Sequence, residues 1–304
     1  MTETISIVRT RNGPMEVSRT GSGPGVLVVH GIPGSWRQGF MVAEDLSDRF
    51  TVVIPSRPGY GRTPLSTGRT PEEQADAYAA LLDEMGIETV AVAGASGGGP
   101  SSLAFARRYP RRTRALVLAC AMSPYLIEVP TAMRWLTLPR GVGEFTSGIG
   151  RTVGRRRLEN ERAVTRWAQK SLTPEEFGWM AGDPRIREDL IRFARTHLDA
   201  PSGLSGMRND LVQVKRAKAE GPPAQPVTAP TLILHGDADA VVGLDHAHFH
   251  AKMVPFSTLE IFPGAGHVFL LTRRRQISRL MRRFFVDNEG PTPQRATSDQ
   301  GAGI

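Results

Sequence analysis

Short unbroken apolar runs recur along the chain and alternate with stretches in which apolar residues return every three or four positions. Val26–Val29, Thr51–Ile54, Val90–Ala93, Arg114–Cys120 and Thr231–Leu234 are runs of the first kind. Too short for helices and too uniformly apolar to face water on one side, they predict strands buried in the middle of a parallel sheet. The second kind follows Thr70-Pro71, where Ala75, Tyr78, Ala79, Leu82 and Met85 share one helical face up to Gly86. Ser101–Tyr109, Leu244–Met253 and Arg273–Asn288 repeat the pattern, the last with Ile277, Leu280, Met281, Phe284 and Phe285 on its apolar side. Ahead of them, Ile5–Val8 and Met15–Val17 flank the turn Arg11-Asn12-Gly13-Pro14 and predict an antiparallel pair. Strand and helix alternating in this way specify an α/β fold: a mostly parallel, twisted sheet joined by right-handed crossovers, with helices on both faces.

The alternation stops near Ser123. From Pro124 to Pro226 no buried strand is visible, and helical patterning covers Thr131–Leu138, Leu158–Ser171, Pro174–Met180, Arg185–His197 and Gly206–Lys218. The linker Glu220-Gly-Pro-Pro-Ala-Gln-Pro226 precedes the return of strands at Thr231, and Leu259–Phe262 is the next of them. These boundaries predict a core built from residues 1–123 and 227–288, with a helical insertion, 124–226, placed after the sixth strand. Residues 289–304, rich in Pro, Gly, Ser and Gln, read as a disordered tail.

Composition narrows the function classes. The 304 residues carry a formal net charge of +8, but the cations are almost all arginine and are spread over many segments. The clusters Arg155-Arg156-Arg157 and Arg273-Arg274-Arg275 lack interleaved aromatics, so nucleic acid is not an expected partner. No apolar run reaches the roughly 18 residues of a membrane span, and the first residues lack the basic-then-apolar order of a secretory leader. A soluble cytoplasmic protein without a membrane partner is the expectation. Cys120, the single cysteine, sits inside an apolar run and reads as a buried structural thiol.

The candidate chemistry lies at the ends of the predicted strands. Gly94-Ala95-Ser96-Gly97-Gly98 joins the strand Val90–Ala93 to a helix and matches G-x-S-x-G, in which a serine rides a turn too tight for bulky neighbours. A serine needs a base to take its proton and a third group to orient that base. Two later strand ends supply them: His235-Gly236-Asp237-Ala238-Asp239 carries two carboxylates, and Pro263-Gly264-Ala265-Gly266-His267 carries an imidazole. Ligand sites in open α/β sheets form at these edges, so the three segments can converge in the order Ser, Asp, His. No metal is expected. His246 and His250 are spaced i,i+4, but without the glutamate of H-E-x-x-H or a third ligand they read as a solvated helix face. His30 and His235 read as loop anchors held by hydrogen bonds.

These motifs together resemble the α/β-hydrolase family, in its form with a helical cap after the sixth strand, over about residues 5–122 and 227–287. His30-Gly31-Ile32-Pro33-Gly34 is similar to the family's H-G-x-P-G loop, which implies the backbone N–H groups of Ile32 and Gly97 as oxyanion donors. The family's H-G-x-x-D spacing implies Asp239 rather than Asp237 as the acid, with Ser96 as nucleophile and His267 as base. The chain departs from the family at Ser56-Arg57, where an Asp often precedes the P-G-x-G turn. A cofactor-free serine hydrolase acting on an ester, lactone or related acyl bond of a small, largely apolar substrate is the implied activity. Carbon–carbon bond hydrolysis or an aminopeptidase-type reaction on the same triad stays open, as does a non-catalytic small-ligand receptor. Epoxide hydrolases and haloalkane dehalogenases in the family carry Asp where this chain has Ser96. Trp36, Trp135 and Trp167 are the candidate substrate-binding aromatics.

Overall fold

The computed structural model describes residues 3–128, 172–198 and 203–290. Eight strands form one sheet in the order β1-β2-β4-β3-β5-β6-β7-β8. β1 (Thr4–Thr10) and β2 (Gly13–Thr20) pair antiparallel through the turn at Gly13, and β2 is also antiparallel to β4 (Thr51–Pro55). From β4 onward the sheet is parallel, through β3 (Gly25–Val29), β5 (Val90–Ala95), β6 (Thr113–Ala119), β7 (Thr231–Gly236) and β8 (Ser257–Phe262).

The central strands are apolar on both sides because both faces are covered. Val26, Val28, Val52, Ile54, Ala91 and Ala93 point into one core, shared with Leu46 and Phe50 and with Ile277, Met281 and Phe285. Their neighbours Leu27, Val29, Val53, Val90 and Val92 point into the other, with Tyr78, Leu81, Leu82 and Phe105. This alternation is the period-two geometry of a strand, and each layer of helices seals one face. α1 (Phe40–Leu46) and α9 (Arg274–Asp287) cover the first face. α2 (Pro71–Glu84), α3 (Gly99–Arg108) and α7 (Leu244–Met253) cover the second. α2 begins in a capping box: Thr70 Oγ1 accepts from the Glu73 N–H at 3.1 Å, and Glu73 Oε2 accepts from the Thr70 N–H at 3.2 Å. α1, and the four-residue α8 (Phe269–Thr272), were not predicted, because each is too short to show a helical period.

Between β6 and β7 the described residues include the helices α4 (Pro174–Gly182), α5 (Pro184–Leu198) and α6 (Gly203–Glu220) and no strand. The expected segments Thr131–Leu138 and Leu158–Ser171 lie outside the described residues, as does the tail beyond residue 290. α6 is tied to the core at the point where the sequence departs from the family pattern. The Arg57 guanidinium, 2% exposed, makes two bonds to the Asp210 carboxylate, at 3.1 and 2.8 Å, and the Tyr60 hydroxyl donates to the same group. Beside it the Gly206 N–H donates to the Gly59 carbonyl at 3.0 Å, and a Cβ on Gly206 would strike the Tyr60 ring at 2.2 Å. Ser56 is buried as well, its hydroxyl bonded to Glu16 at 2.9 Å.

Candidate active site

Ser96 follows β5 directly and has a φ of 49°, left-handed backbone that a side chain adopts only at a cost of about 1–3 kcal/mol. The glycines around it are required by crowding. A Cβ on Gly94 would meet Ser102 Oγ at 2.3 Å, one on Gly98 the Val29 carbonyl at 2.4 Å, and one on Gly97 the Ile32 side chain at 2.3 Å. The chain can therefore reverse from strand into α3 with the serine at the C-terminal edge of the sheet.

Two other strand ends bring their groups to it. His267 Nε2 lies 3.1 Å from Ser96 Oγ, and His267 Nδ1 lies 2.7 Å from Asp239 Oδ2. The other oxygen of Asp239 accepts the N–H groups of Val241 and Val242, both at 2.9 Å. Burial alone would push the Asp239 carboxyl up. The hydrogen bond from His267 and the two backbone N–H groups outweigh it and hold the carboxyl below its ordinary value. An ionised Asp239 can only accept, so Nδ1 of His267 carries the proton and the Nε2 lone pair faces the serine hydroxyl. That tautomer is the one able to take a proton from Ser96. Asp237 is not part of this relay; it is exposed, and its Oδ1 accepts the Gly264 N–H at 2.7 Å.

The remaining histidines hold backbone. His30 Nε2 accepts the Arg57 N–H at 2.9 Å, and its Nδ1 lies 2.8 Å from the Gly31 carbonyl. His235 donates to the Val242 carbonyl at 2.8 Å, behind Asp239, and burial lowers its pKa. The expected solvated face at His246 and His250 needs correction, since both are buried. His246 Nδ1 accepts the Ser123 N–H at 2.8 Å and His250 Nε2 donates to the Ala121 carbonyl at 3.2 Å, so α7 is stitched to the chain leaving β6. Only His248 of the three faces solvent. Among the described residues no group of three or more His, Cys, Asp or Glu is placed to hold a metal ion.

A cavity of about 110 Å³ adjoins Ser96 and His267, bounded by Gly31, Ile32, Gln38, Met41, Cys120, Phe193, Val268, Leu270 and Leu271. Phe193 comes from α5, so the insertion contributes a wall. Ile32 packs on Gly97, which brings together the two residues implied as oxyanion donors. Trp36 is buried in the turn before α1 with the Arg37 guanidinium 4.6 Å from its ring centre, and it is not among the residues lining this cavity. Trp135 and Trp167 lie outside the described residues. Met41 and the pair Leu270-Leu271 were missed in the sequence. The leucines stand three and four positions after His267, a spacing that could have flagged them. A second groove opens on the Gly97 side, with Met122, Tyr125, Val214 and Phe249 in its wall. Cys120, with φ 40°, is buried beside the serine, and burial pushes its thiol pKa up.

The model of the alpha/beta hydrolase fold family matches residues 24–273, most of the chain. The protein belongs to that family. An uncharacterized hydrolase of Bacillus subtilis is 28% identical over 282 residues, covering 89% of this chain and 94% of the relative. The 2-hydroxy-6-oxo-2,4-heptadienoate hydrolase of Pseudomonas putida is 27% identical over 280 residues, covering 88% and 90%. Among solved structures, an alpha/beta hydrolase fold protein from Nakamurella multipartita superposes with a TM-score of 0.72 at 28% identity, covering 92% of this chain and 99% of that one. Among the described residues no helix is long and apolar enough to cross a membrane.

Proposed function

We propose that this α/β hydrolase is a serine hydrolase that cleaves an ester, lactone or related acyl bond of a small, largely apolar substrate through an acyl-enzyme. The observation that carries the reading is the relay Ser96–His267–Asp239, with the acid locked by two backbone N–H groups and the imidazole thereby held in the tautomer that accepts from Ser96. Ser96 Oγ attacks the acyl carbonyl as Nε2 takes its proton, and Asp239 stabilises the imidazolium that forms. The Ile32 and Gly97 N–H groups face the oxyanion, a contribution of about 3–4 kcal/mol per donor to lowering the barrier. His267 then returns the proton to the leaving group, and water repeats the sequence on the acyl-enzyme. Met41, Phe193, Leu270 and Leu271 support an apolar group on one side of the ester, and the groove at Met122 and Val214 supports another beyond Gly97. In this reading residues 124–226 form a cap over Ser96, with Phe193 as one of its contacts.

A fluorophosphonate probe followed by mass mapping tests the reading. Labelling at Ser96, lost in Ser96→Ala together with hydrolysis of short p-nitrophenyl esters, supports it. Turnover of Ser96→Ala within tenfold of the parent overturns it, and a chain that neither labels nor turns over favours a ligand receptor. The resemblance to the Pseudomonas putida hydrolase favours carbon–carbon bond cleavage as a second reading. Faster turnover of a 2-hydroxy-6-oxo-dienoate than of any simple ester would select it.

A further inference from the structure

The backbone that carries His267 is gripped from two directions at a single residue. Gly264, three residues before the imidazole, donates its N–H to Asp237 Oδ1 at 2.7 Å, and its carbonyl accepts the Thr173 hydroxyl at 2.9 Å. Asp237 belongs to the loop that supplies the acid; Thr173 is the N-cap of α4, in the insertion. The space at Gly264 is closed by a third group, since a Cβ there would overlap the Glu175 carboxylate, and its φ of 68° is left-handed. Glu176 completes the contact: its carboxylate accepts the Thr173 N–H at 3.1 Å and the Thr272 hydroxyl at 2.8 Å, so α4 also holds α8 on the far side of His267. The acid loop adds a contact of its own, from the Ala238 N–H to the Ala265 carbonyl at 3.1 Å.

Neither Asp237 nor Thr173 touches the reacting atoms, and Asp237 is exposed, so its bond to the Gly264 N–H is not part of the buried core packing. We infer that Asp237 and Thr173 are positioning residues that clamp the backbone of Gly264 and thereby set the distance from His267 to both Ser96 and Asp239. The inference rests on the triad reading. It gives the insertion a second role, because α5 lines the cavity while α4 fixes the base, and a displacement of α4 is transmitted to His267 through the Thr173–Gly264 bond on one side and the Glu176–Thr272 bond on the other. A misplacement of about 1 Å at a catalytic group costs on the order of 100-fold in rate, which makes one bond at this point consequential.

The test pairs variants that break each bond with variants that keep it. Asp237→Ala removes the acceptor, whereas Asp237→Asn retains an oxygen for the Gly264 N–H. Thr173→Asp still caps α4 but cannot donate to the Gly264 carbonyl, whereas Thr173→Ser does both. The clamp requires kcat to fall about 10- to 100-fold in Asp237→Ala and Thr173→Asp with KM and Tm little changed, and to recover to within about threefold in Asp237→Asn and Thr173→Ser. Unchanged kcat in the breaking variants, equal losses in all four, or losses that follow Tm would overturn it. Failure of the parent enzyme to label at Ser96 would instead refute the hydrolase reading, so the two failures are distinct.

Discussion

Replacing Asp239 by Asn is the substitution for which the structure allows the fullest forecast. The side chain is fully enclosed, and its Oδ1 accepts from the Val241 and Val242 N–H groups at 2.9 Å each. An amide placed there has one orientation available. Its oxygen must take those two N–H groups, because the reverse would set an NH2 against two donors and forfeit two hydrogen bonds at about 1 kcal/mol each, with the desolvated N–H groups left over. The NH2 then faces His267 Nδ1 across the former 2.7 Å contact and donates to it. Nδ1 must supply a lone pair, so the ring proton moves to Nε2, which faces Ser96 Oγ at 3.1 Å as a donor. The geometry survives while the base is lost. The expected fall in kcat is about 10⁴-fold, or about 5.5 kcal/mol of barrier. Steady-state hydrolysis of a p-nitrophenyl ester, with circular dichroism to confirm folding, measures it. A folded variant that kept more than about a tenth of the parent rate would refute both the tautomer argument and the choice of Asp239 over Asp237.

Three further outcomes follow from the same structure. Asp210→Leu strands the buried Arg57 guanidinium and should cost about 3–5 kcal/mol, a Tm lower by roughly 6–20 °C, with most of the loss restored in the double variant Arg57→Met/Asp210→Leu; a melt shifted by less than about 2 °C would remove the pair from what holds α6. Burial lowers the pKa of His250 from 6.5 to about 4, so the folded state stays neutral while the unfolded chain takes up a proton: its stability is complete above pH 6.5 and falls by on the order of 3 kcal/mol as pH drops toward 4. Denaturant melts of His250→Gln should show a flatter pH dependence across that window, and a parallel profile would contradict the assignment. Leu271→Ala and Phe193→Ala each enlarge the cavity at Ser96 and should shift the kcat/KM ranking of p-nitrophenyl esters toward longer chains by roughly 10- to 100-fold, without slowing phosphonate labelling; an unchanged ranking would show that the substrate lies elsewhere.

The strand ends and their chemistry were legible because both are local. A four-residue apolar run followed by a glycine turn can be read without knowing its neighbours, and a parallel sheet delivers all such turns to one edge, so Ser96, Asp239 and His267 could be named as candidates from separate segments, and the fold brings them within hydrogen-bond distance. What the sequence left open was everything set by contact between distant segments. Asp237 and Asp239 are both carboxylates after one strand; the family spacing favours Asp239, but the physical difference between them lies in the backbone of Val241 and Val242 on one side and His267 on the other. His246 and His250 look like a polar helix face until β6 is seen to end against them, where their ring nitrogens meet backbone groups of Ser123 and Ala121. Arg57 stands in the sequence only as a departure from the family pattern, yet it is enclosed because Asp210, 153 positions later, pairs with it. Periodicity reports which face of an element is apolar; it carries nothing about which polar group on another element will satisfy a buried donor or charge. That pairing is decided only when the sheet, the insertion and the loops at its edge are packed together.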